Sequence, residues 1–425
     1  MTEHTAPHHE PERLKILVSA YACAPGRGSE HGNAWYTILE LSKYHDIWVI
    51  VTAEYRQPIE DYIASHPLSH VSWHFIDLPK WLIFWRKPLQ FERVHYYFWQ
   101  HYVAGFAQRL HQQIRFDASM HLTFGSYWRP SFLRLLPIPF VWGPIGGAEN
   151  IPTDFYPFLD TETVQWDRAK RRIERIACQF DPTVRDTARR SSIALAATPH
   201  TADQVRRLGA ATVRFYGQYA LPVSDIDFLG TLPVRQNPSP VRFMSMGRLV
   251  GWKGIQLGIC AFARLIAQYP DAEYWHDGGG DQSDDIRRLA KELRVDDRFF
   301  LFENNTRRQA FENLAQCDVL LFPNLHNESG WVCAEAMAAR RPIVYLLGRL
   351  PFPDAEKSSF ATTAESLPHA TEEMAQAMYR LATDNALRMR MGEAARQHVL
   401  EHYNIEVRGS YYAQLFRQLA SGKHP

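Results

Sequence analysis

One stretch of the chain, residues 320–345 (LLFPNLHNESGWVCAEAMAARRPIVY), decides the fold that we predict. It opens on an apolar run with the length of a buried strand, and Pro323 stops that run. A helix is expected to begin near Ser329 or Gly330, because both are good N-cap residues and the alanine-rich stretch behind them favours helix. Pro342 ends this helix and a second apolar run follows at once. Strand, loop, helix and strand in this order indicate a parallel α/β sheet.

The start of that helix predicts a binding site for an anion. A helix that opens just after a strand directs unpaired backbone N–H groups and the positive end of its dipole at the carboxyl edge of the sheet, which suits phosphate. Glu335 lies early in the same helix, and its Cα–Cβ bond tilts back toward the helix start. A carboxylate there would repel phosphate but would accept hydrogen bonds from sugar hydroxyls. The stretch therefore predicts a ligand that contains both a phosphate and a sugar.

Composition indicates a two-domain protein that does not bind nucleic acid. The 425 residues exceed the length of one ordinary domain. The 47 Lys and Arg residues balance 46 Asp and Glu residues to a formal charge of +1, which argues against a nucleic-acid partner. The five cysteines are scattered without a C-x-x-C pair, so a reducing cytoplasm fits them best.

No segment of the sequence predicts export or insertion into a membrane. Residues 1–12 are polar, so we expect a disordered tail there instead of a signal peptide. No uncharged apolar run is long enough to span a bilayer. The scattered histidines and cysteines do not have the spacing of metal ligands.

Strand-like and helix-like patterns alternate along both halves of the chain, which predicts two doubly wound α/β domains. The first domain covers 13–220 and begins with a strand of the buried, non-alternating kind at 14–20. The second covers 241–402. Between them, residues 221–240 carry four prolines and little periodicity, and we interpret them as the interdomain linker. A final helix is predicted within 403–425.

A first glycine cluster lies between the first strand and the first helix, at Gly26, Gly28 and Gly32. Glycines there let the backbone approach a ligand, and the helix start favours anions. The spacing is not that of G-x-G-x-x-G, so a dinucleotide site is disfavoured. A ligand-facing loop and a simple tight turn both remain open.

A second loop, residues 246–254, carries two positive charges between a strand and a helix. Arg248 offers bidentate donors to phosphate oxygens and Lys253 a point charge, so together they could neutralise a diphosphate without a metal. The alternative is two solvated surface charges. The diphosphate interpretation gains weight because the Gly330 helix start would lie on the same sheet edge.

Two further candidates follow strands of the first half. His121 ends a buried-type strand, where it could hold a sugar hydroxyl or serve a structural role in the core. Residues 143–149 (GPIGGAE) form a loop of unusual backbone, either functional or a simple turn.

An aromatic and basic segment covers residues 80–99, starting with KWLIFWRK. Trp and Tyr together with Lys and Arg favour a membrane–water interface. Burial against the neighbouring domain is the alternative, and the sequence does not decide between them.

In this order the segments resemble the family 4 glycosyltransferases of the GT-B fold. The resemblance covers nearly the whole chain, and three segments carry it: Gly28-Ser29-Glu30-x-Gly32, the loop 247–254 (GRLVGWKG), and residues 322–342. It implies two Rossmann-like domains that face each other across a cleft, with the final helix crossing back to the first. It also implies a retaining transferase that uses a nucleotide-diphosphate sugar as co-substrate and needs no metal or other cofactor.

The resemblance also implies roles for individual residues. Arg248 and Lys253 would hold the diphosphate, and Glu335 the ribose of the nucleotide. His121 would lie near the transferred sugar. The backbone of Gly330, Trp331 and Val332 would bind the phosphates, and the loop of Gly28, Ser29, Glu30 and Gly32 would face donor and acceptor.

The chain departs from the family pattern at a position that matters for the chemistry, and also before Pro342, where Arg340 and Arg341 replace the usual small residue. The family has two acidic residues eight positions apart, but the residue eight positions before Glu335 is Asn327. Either the adjacent Glu328 contacts the donor sugar through a shifted loop, or Asn327 makes a neutral contact with it.

The expected function is therefore transfer of a hexosyl unit from a UDP- or GDP-linked sugar to a glycan or lipid-linked acceptor, in surface polysaccharide biosynthesis. The expected location is the cytoplasm or the inner face of its membrane. Two alternatives stay open, a non-catalytic GT-B subunit that binds a nucleotide sugar and a nucleotide-sugar epimerase, because fold alone does not determine function.

Overall fold

The computed structural model describes residues 12–79, 92–217, 219–326, 330–346, 359–362 and 365–422. The first domain contains a seven-stranded sheet, with β1 Lys15–Ser19, β2 Asp46–Val51, β3 Val71–Phe75, β4 Ala118–His121, β5 Phe140–Ile145, β6 Ile193–Ala196 and β7 Val213–Phe215. Its helices are α1 Ser29–Ser42, α2 Arg56–Ser65, α3 Glu92–Ile114, α4 Thr161–Phe180, α5 Pro182–Arg190 and α6 Pro199–Leu208. Strands and helices alternate over most of this domain, as predicted.

The second domain repeats this arrangement around a six-stranded sheet. Its strands are β8 Val241–Met246, β9 Ala272–Asp277, β10 Phe299–Phe302, β11 Val319–Phe322, β12 Ile343–Leu346 and β13 Ser359–Thr362. The helices between and after them are α8 Ile255–Ile266, α9 Ser283–Glu292, α10 Arg307–Ala315, α11 Trp331–Ala338, α12 Leu367–Thr383 and α13 Asn385–His402. The predicted class of two doubly wound α/β domains is confirmed.

Both sheets are parallel throughout, and their strand orders place the predicted loops together. The first sheet has the order β3-β2-β1-β4-β5-β6-β7, so the carboxyl ends of β1 and β4 are neighbours and Ser19 pairs with His121. The second has the order β10-β9-β8-β11-β12-β13. The loops after β8, β9 and β11 therefore meet at one edge, where ligands of open α/β sheets bind.

The segment between the domains contains regular structure that the sequence did not predict. Helix α7, Val223–Thr231, lies within it, and Ile226 and Leu229 are buried in the same core as Trp331. A helix of nine residues flanked by prolines is too short to stand out by periodicity. Residues 367–402 form two separate helices, α12 and α13, and Asp384 caps the start of α13 by accepting from the Leu387 N–H.

The last helix, α14 Ile405–Ala420, returns to the first domain. Tyr412 and Phe416 belong to the core of the first domain, and the Arg408 guanidinium donates to the Asn33 side chain of α1 at 3.1 Å. The crossing-back helix is thus present as predicted. Burial of its apolar face, and not helix propensity alone, explains why it docks there.

A second connection between the domains follows β5. Ile151 and Phe155 are buried in the core of the second domain, although they precede α4 of the first. Farther along, Trp166 of α4 stacks on Trp252, with ring centroids 4.7 Å apart and planes at 22°.

Within the described ranges, no helix combines the length and apolar character that crossing a bilayer requires.

Candidate functional site

The loop after β8 is shaped by glycines whose backbone approaches its neighbours closely. Gly247 has φ +124° and its N–H donates to the Asp277 carbonyl at 2.9 Å. The Leu249 N–H donates to the Gly279 carbonyl at 3.1 Å, and a Cβ atom on Gly278 would stand 2.2 Å from the Gly247 oxygen. Glycine is required here because no side chain would fit. These contacts hold the loop against the loop after β9.

The same loop is joined to the stretch that follows β11. The Leu325 N–H donates to the Trp252 carbonyl at 2.8 Å. Gly254, with φ +66°, caps the start of α8, and a Cβ atom there would lie 2.1 Å from the Pro323 oxygen. The two loops that the sequence singled out in this domain therefore form one continuous surface.

Lys253 lies between the Gly247 turn and the first turn of α11. Its Cε atom is 4.0 Å from the position that a Cβ atom on Gly247 would take. Burial raises the pKa of the Cys333 thiol in that first turn, and the Lys253 ammonium acts against this shift. Arg248 on the same loop is exposed, and its side chain makes no hydrogen bond or ion pair to any residue that the structure describes. A basic residue and a helix N-terminus thus face the same space, as an anion site requires.

A buried network of side chains supports this loop from beneath. His276 of β9 contacts Ser245 Oγ at 2.7 Å through Nδ1 and the Gly247 carbonyl at 3.0 Å through Nε2. Ser245 Oγ is also 2.8 Å from the Tyr274 hydroxyl. Burial lowers the pKa of His276 to about 4, so the ring is neutral at pH 7. Nε2 must then carry the proton to donate to the carbonyl, and Nδ1 accepts from Ser245.

Glu335 is buried in α11 and is held by two donors. Trp331 Nε1 and the Arg307 guanidinium each donate to its Oε1 atom at 2.8 Å. Burial raises the pKa of the Glu335 carboxyl above its ordinary value, and the guanidinium acts against that shift. Because both bonds end on Oε1, the Oε2 atom can accept from hydroxyl groups of a ligand. This arrangement suits the predicted contact to a ribose.

Arg307 connects Glu335 to the first domain. Its guanidinium also donates to Asp225 of α7 at 2.7 Å. Burial raises the pKa of Tyr36 in α1, and Asp225 and Arg307 are among the charges that act on this hydroxyl. Helix α1, which begins at the Gly28 loop, therefore faces the Glu335 side of the second domain.

Asn324, two residues after the end of β11, carries a buried amide that lacks hydrogen bonds. Its side chain is 1% exposed, and neither Oδ1 nor Nδ2 has a partner among the described residues. An unsatisfied buried amide costs about 1–3 kcal/mol for each group. Such a group next to the Lys253 loop is suited to accept and donate hydrogen bonds to a bound ligand.

The glycine loop of the first domain is tied to the loop after β4. Gly28 caps the start of α1, and the Glu30 carboxylate accepts a hydrogen bond from the Phe124 N–H. Gly32 lies so close to Arg27 that a Cβ atom would stand 2.0 Å from its carbonyl oxygen. Gly32 therefore has a packing reason to be glycine, whereas a Cβ atom on Gly28 would meet no atom within 4 Å.

His121 is fully buried beneath this loop. Its Nε2 atom is 3.1 Å from the Tyr96 hydroxyl and its Nδ1 atom 3.0 Å from Ser131 Oγ. Burial lowers the pKa of His121 to about 4, so it is neutral at pH 7. Both ring nitrogens are occupied, and the contact to a transferred sugar stays a prediction.

The loop after β5 is braced by a buried lysine. Lys170 of α4 donates to the carbonyls of Gly147 and Glu149 at 2.9 and 3.2 Å and to the Asn150 side chain at 2.8 Å. It also forms an ion pair with Glu174. Residues 143–145 belong to β5, so the loop predicted over 143–149 begins only after Ile145, and Lys170 holds it at Gly147 and Glu149.

Several predicted residues lie outside the described part of the chain. These are Asn327 and Glu328, the side chain of Ser29, the tail 1–11 and the segment 80–91. The rest of the aromatic segment divides in two. Tyr96 and Trp99 are buried in the first core, whereas Phe98 is 52% exposed.

The structure adds functional candidates that sequence reasoning did not single out. Arg307, Asn324, His276 and Trp166 contact or support the site from four different elements. Only His276 has a local signal, because it is a polar residue near the carboxyl end of β9, just before three consecutive glycines. The others depend on contacts between residues far apart in sequence.

A comparison with protein families matches residues 234–398 to the glycosyl transferases group 1. This range contains Arg248, Lys253, Gly330 and Glu335. Among curated relatives, the lipopolysaccharide core biosynthesis glycosyltransferase LpsE of Rhizobium meliloti (strain 1021) is 30% identical over 177 residues. That alignment spans 40% of this chain and 48% of the relative, so the chain covers about half the length of the relative it matches.

Solved structures match over nearly the whole chain. A glycosyltransferase from Rickettsia africae ESF-5 superposes with a TM-score of 0.62 at 12% identity, covering 96% of this chain and 99% of the other. Anabaena Alr3699/HepE in complex with UDP and glucose gives a TM-score of 0.58 at 16% identity, covering 96% and 100%. At these identities the likeness concerns the fold alone, and it confirms the predicted GT-B architecture.

Proposed function

We propose, from the premise that the chain belongs to the group 1 glycosyl transferases, that it moves a hexosyl unit from a UDP- or GDP-linked sugar to a glycan or lipid-linked acceptor. One observation carries the proposal: the Lys253 loop, the turn after β11 and the start of α11 meet at one sheet edge. Glu335 lies behind them with one carboxylate oxygen unused by its two donors. A diphosphate and a ribose are the ligand parts that such a site recognises.

The reaction follows from these charges. The bond between the anomeric carbon of the sugar and the diphosphate oxygen breaks, positive charge grows on the sugar ring, and the diphosphate leaves with the electron pair. Arg248, Lys253 and the N–H groups of Gly330, Trp331 and Val332 stabilise the negative charge on the leaving group. Preorganised donors of this kind are a major source of catalysis. The acceptor hydroxyl attacks the anomeric carbon and gives its proton to a diphosphate oxygen.

We propose retention of configuration through departure and attack on the same face of the sugar. This route needs no enzyme nucleophile, and the sequence has no evident carboxylate pair for a double displacement. The sugar itself would be contacted by His121 and by either Asn327 or Glu328. Because two fixed cations and a helix start offset the diphosphate charge, we propose that no metal takes part.

The acceptor side would lie on the first domain, around the Gly28–Gly32 loop. The tie between Glu30 and Phe124 places this loop beside the loop after β4, on the edge that α1 presents to the second domain. The curated relative acts in lipopolysaccharide core biosynthesis, which supports a role in surface polysaccharide assembly. Such a role fits a location in the cytoplasm at the inner face of the membrane.

A donor screen tests the proposal. Melting temperature is measured with a panel of UDP- and GDP-sugars, for the wild type and for Lys253→Ala. We expect one donor class to raise the melting temperature of the wild type, and Lys253→Ala to lose that shift and the turnover. Lys291→Ala, which removes an exposed lysine of α9, is the matched control and keeps both.

The outcomes separate the alternatives. No stabilisation by any nucleotide sugar would contradict the proposal. Donor binding without turnover against a full acceptor panel would identify a non-catalytic subunit, and a new sugar formed from donor alone would identify an epimerase. The anomeric configuration of the product, read by NMR, tests retention.

A further inference from the structure

A cavity of about 420 Å³ lies in the first domain, away from the Lys253 loop. It is lined by residues of α4, α5 and α6, together with Tyr127 after β4 and Asn150 at the end of the β5 loop. Four of its lining side chains are arginines, namely Arg171, Arg175, Arg185 and Arg207. None of the roles derived above for the donor site involves these residues.

Most of the positive charge around this cavity is not offset by acidic neighbours. Glu174 is the acidic residue of the lining, and it is already paired with the buried Lys170. Arg171 is paired with Asp167, whose carboxylate it contacts at 2.6 Å. The remaining three arginines form no ion pair with the residues that the structure describes.

Those three guanidiniums retain donors for a ligand. Arg185 uses its Nε atom to donate to the Cys178 carbonyl at 3.1 Å, which leaves its terminal nitrogens to the cavity. The guanidinium groups of Arg175 and Arg207, two exposed residues, make no hydrogen bond to the described residues. Gln204 of α6 adds an amide to the same lining. Guanidinium groups match the oxygens of phosphate bidentately, so this lining selects phosphate over a neutral sugar.

The position of the cavity relates it to the acceptor side of the cleft. Lys170, the residue that braces the β5 loop at the carboxyl edge of the sheet, donates a hydrogen bond to Asn150 of the cavity lining. Trp166, nearer the start of the same helix, stacks on Trp252 of the donor loop. Arg175 is nine residues farther along α4, which corresponds to about 14 Å of helix. At about 3.6 residues per turn Arg175 lies on the opposite side of α4 from Trp166, so it is the β5 loop, braced by Lys170, that relates the cavity to the cleft.

We propose that this cavity is a subsite for a phosphate or diphosphate group carried by the acceptor. Arg175, Arg185 and Arg207 hold the phosphate oxygens, and the acceptor's reactive hydroxyl lies toward the β5 loop. The inference rests on the proposed transferase function, because it names the chemical class of that enzyme's acceptor. The phosphate could belong to a lipid-linked or to a water-soluble glycan, and the chemistry at the cavity is the same for both.

The test measures binding of pyrophosphate by isothermal titration calorimetry at constant ionic strength. All variants carry Lys253→Ala, which weakens the contribution of the donor loop. In that background, we expect Arg175→Gln together with Arg207→Gln to weaken pyrophosphate binding at least tenfold. The matched control is Arg172→Gln together with Arg206→Gln, which removes the same charge from the same two helices outside the cavity lining. It should change binding less than twofold.

Equal binding by the two double variants would overturn the proposal. A second arm uses sedimentation with vesicles that contain phosphatidic acid. Loss of vesicle binding together with pyrophosphate binding, while the Arg172→Gln, Arg206→Gln protein still sediments, assigns the phosphate to a lipid-linked acceptor, and loss of pyrophosphate binding alone assigns it to a soluble one. Stabilisation of the Arg175→Gln, Arg207→Gln protein by nucleotide sugar, measured with Lys253 intact, reports the donor site separately. Failure of this subsite and failure of the transferase function are thereby distinguished.

Discussion

Gly254 lies so close to Pro323 that a Cβ atom on the glycine would stand 2.1 Å from the proline's carbonyl oxygen. Gly254 follows the lysine of the donor loop, and Pro323 ends the strand that leads to α11. The contact therefore fixes the position of the basic loop relative to the helix start. The two loops of the candidate donor site are therefore in direct backbone contact.

We predict that Gly254→Ala disrupts both stability and donor binding. The added Cβ atom would meet the Pro323 oxygen, and alanine is strained at a φ of +66°. The free energy of unfolding should fall by about 2 kcal/mol or more, measured by urea denaturation. Gly105→Ala is the control, because a Cβ atom there meets nothing within 4 Å. If Gly254→Ala is as stable as Gly105→Ala and binds donor normally, the close contact is not required.

Glu335→Gln should weaken donor binding and lower stability. The amide keeps the shape of the side chain but loses the charge that pairs with Arg307 at 2.8 Å. We expect the donor KM to rise about tenfold, and the free energy of unfolding to fall by about 2 kcal/mol.

Glu312→Gln provides the matched control for that variant. Glu312 pairs with Arg308 at 3.2 Å on the exposed face of α10, and such surface pairs contribute less than about 1 kcal/mol. An unchanged donor KM in Glu335→Gln would show that Glu335 does not contact the ribose, even if the free energy of unfolding falls as expected.

The buried His276 should make stability depend on pH. Its pKa is lowered from 6.5 to about 4 by burial, so the folded state holds this ring neutral while the unfolded state protonates it below pH 6.5. The contribution of this neutral ring to the free energy of unfolding is complete above pH 6.5 and is lost as the pH falls toward 4. Integrated over that interval, the loss is about 3 kcal/mol.

Urea denaturation at pH 7 and at pH 4.5 measures this effect. His276→Gln should lose less stability between the two pH values than the wild type, although His121, shifted in the same direction, still contributes in both proteins. His200→Asn changes an exposed residue and should retain the wild-type dependence. An identical pH dependence in wild type and His276→Gln would contradict the assignment.

The first domain exposes apolar side chains on two neighbouring helices. Along α3 these are Val94, Phe98 and Tyr102, and along α4 Ile173, Ile176 and Phe180. The Tyr97 hydroxyl of α3 donates to Asp181 at the end of α4 at 3.0 Å, which brings the two helices together. Arginines lie beside the apolar residues of α4. Helices that expose apolar side chains among basic ones favour an anionic membrane surface.

We predict that Phe98→Ser together with Phe180→Ser weakens sedimentation with anionic vesicles several-fold. Each replacement removes an exposed apolar group from the proposed contact. Trp81→Ser with Trp85→Ser, in the adjoining aromatic segment, should act in the same direction. Phe300→Ser removes a phenylalanine of the second domain that is 38% exposed and should have no effect. Unchanged sedimentation in both double variants would contradict the proposed membrane contact of these residues.

The limits of sequence reasoning are visible in the two halves of the donor site. The helix start near Gly330, the acid at Glu335 and the basic loop of Lys253 could all be predicted, because each is written in a few consecutive residues. The pairing of Glu335 with Arg307 could not, since the two residues are 28 positions apart and no local pattern relates them. The same holds for α7, whose nine residues acquire a clear apolar face only against the core that contains Trp331.

By itself, the sequence determined the two doubly wound domains, since strand and helix periodicities arise from local side-chain order. It also determined which loops carry glycine, arginine and lysine at the carboxyl edges of the sheets. Only the tertiary structure decided that Gly254 meets Pro323, that His276 supports the Gly247 carbonyl, and that arginines of α4, α5 and α6 surround one cavity. The physical reason is that packing brings together residues distant in sequence, whereas periodicity records only which face of an element is buried.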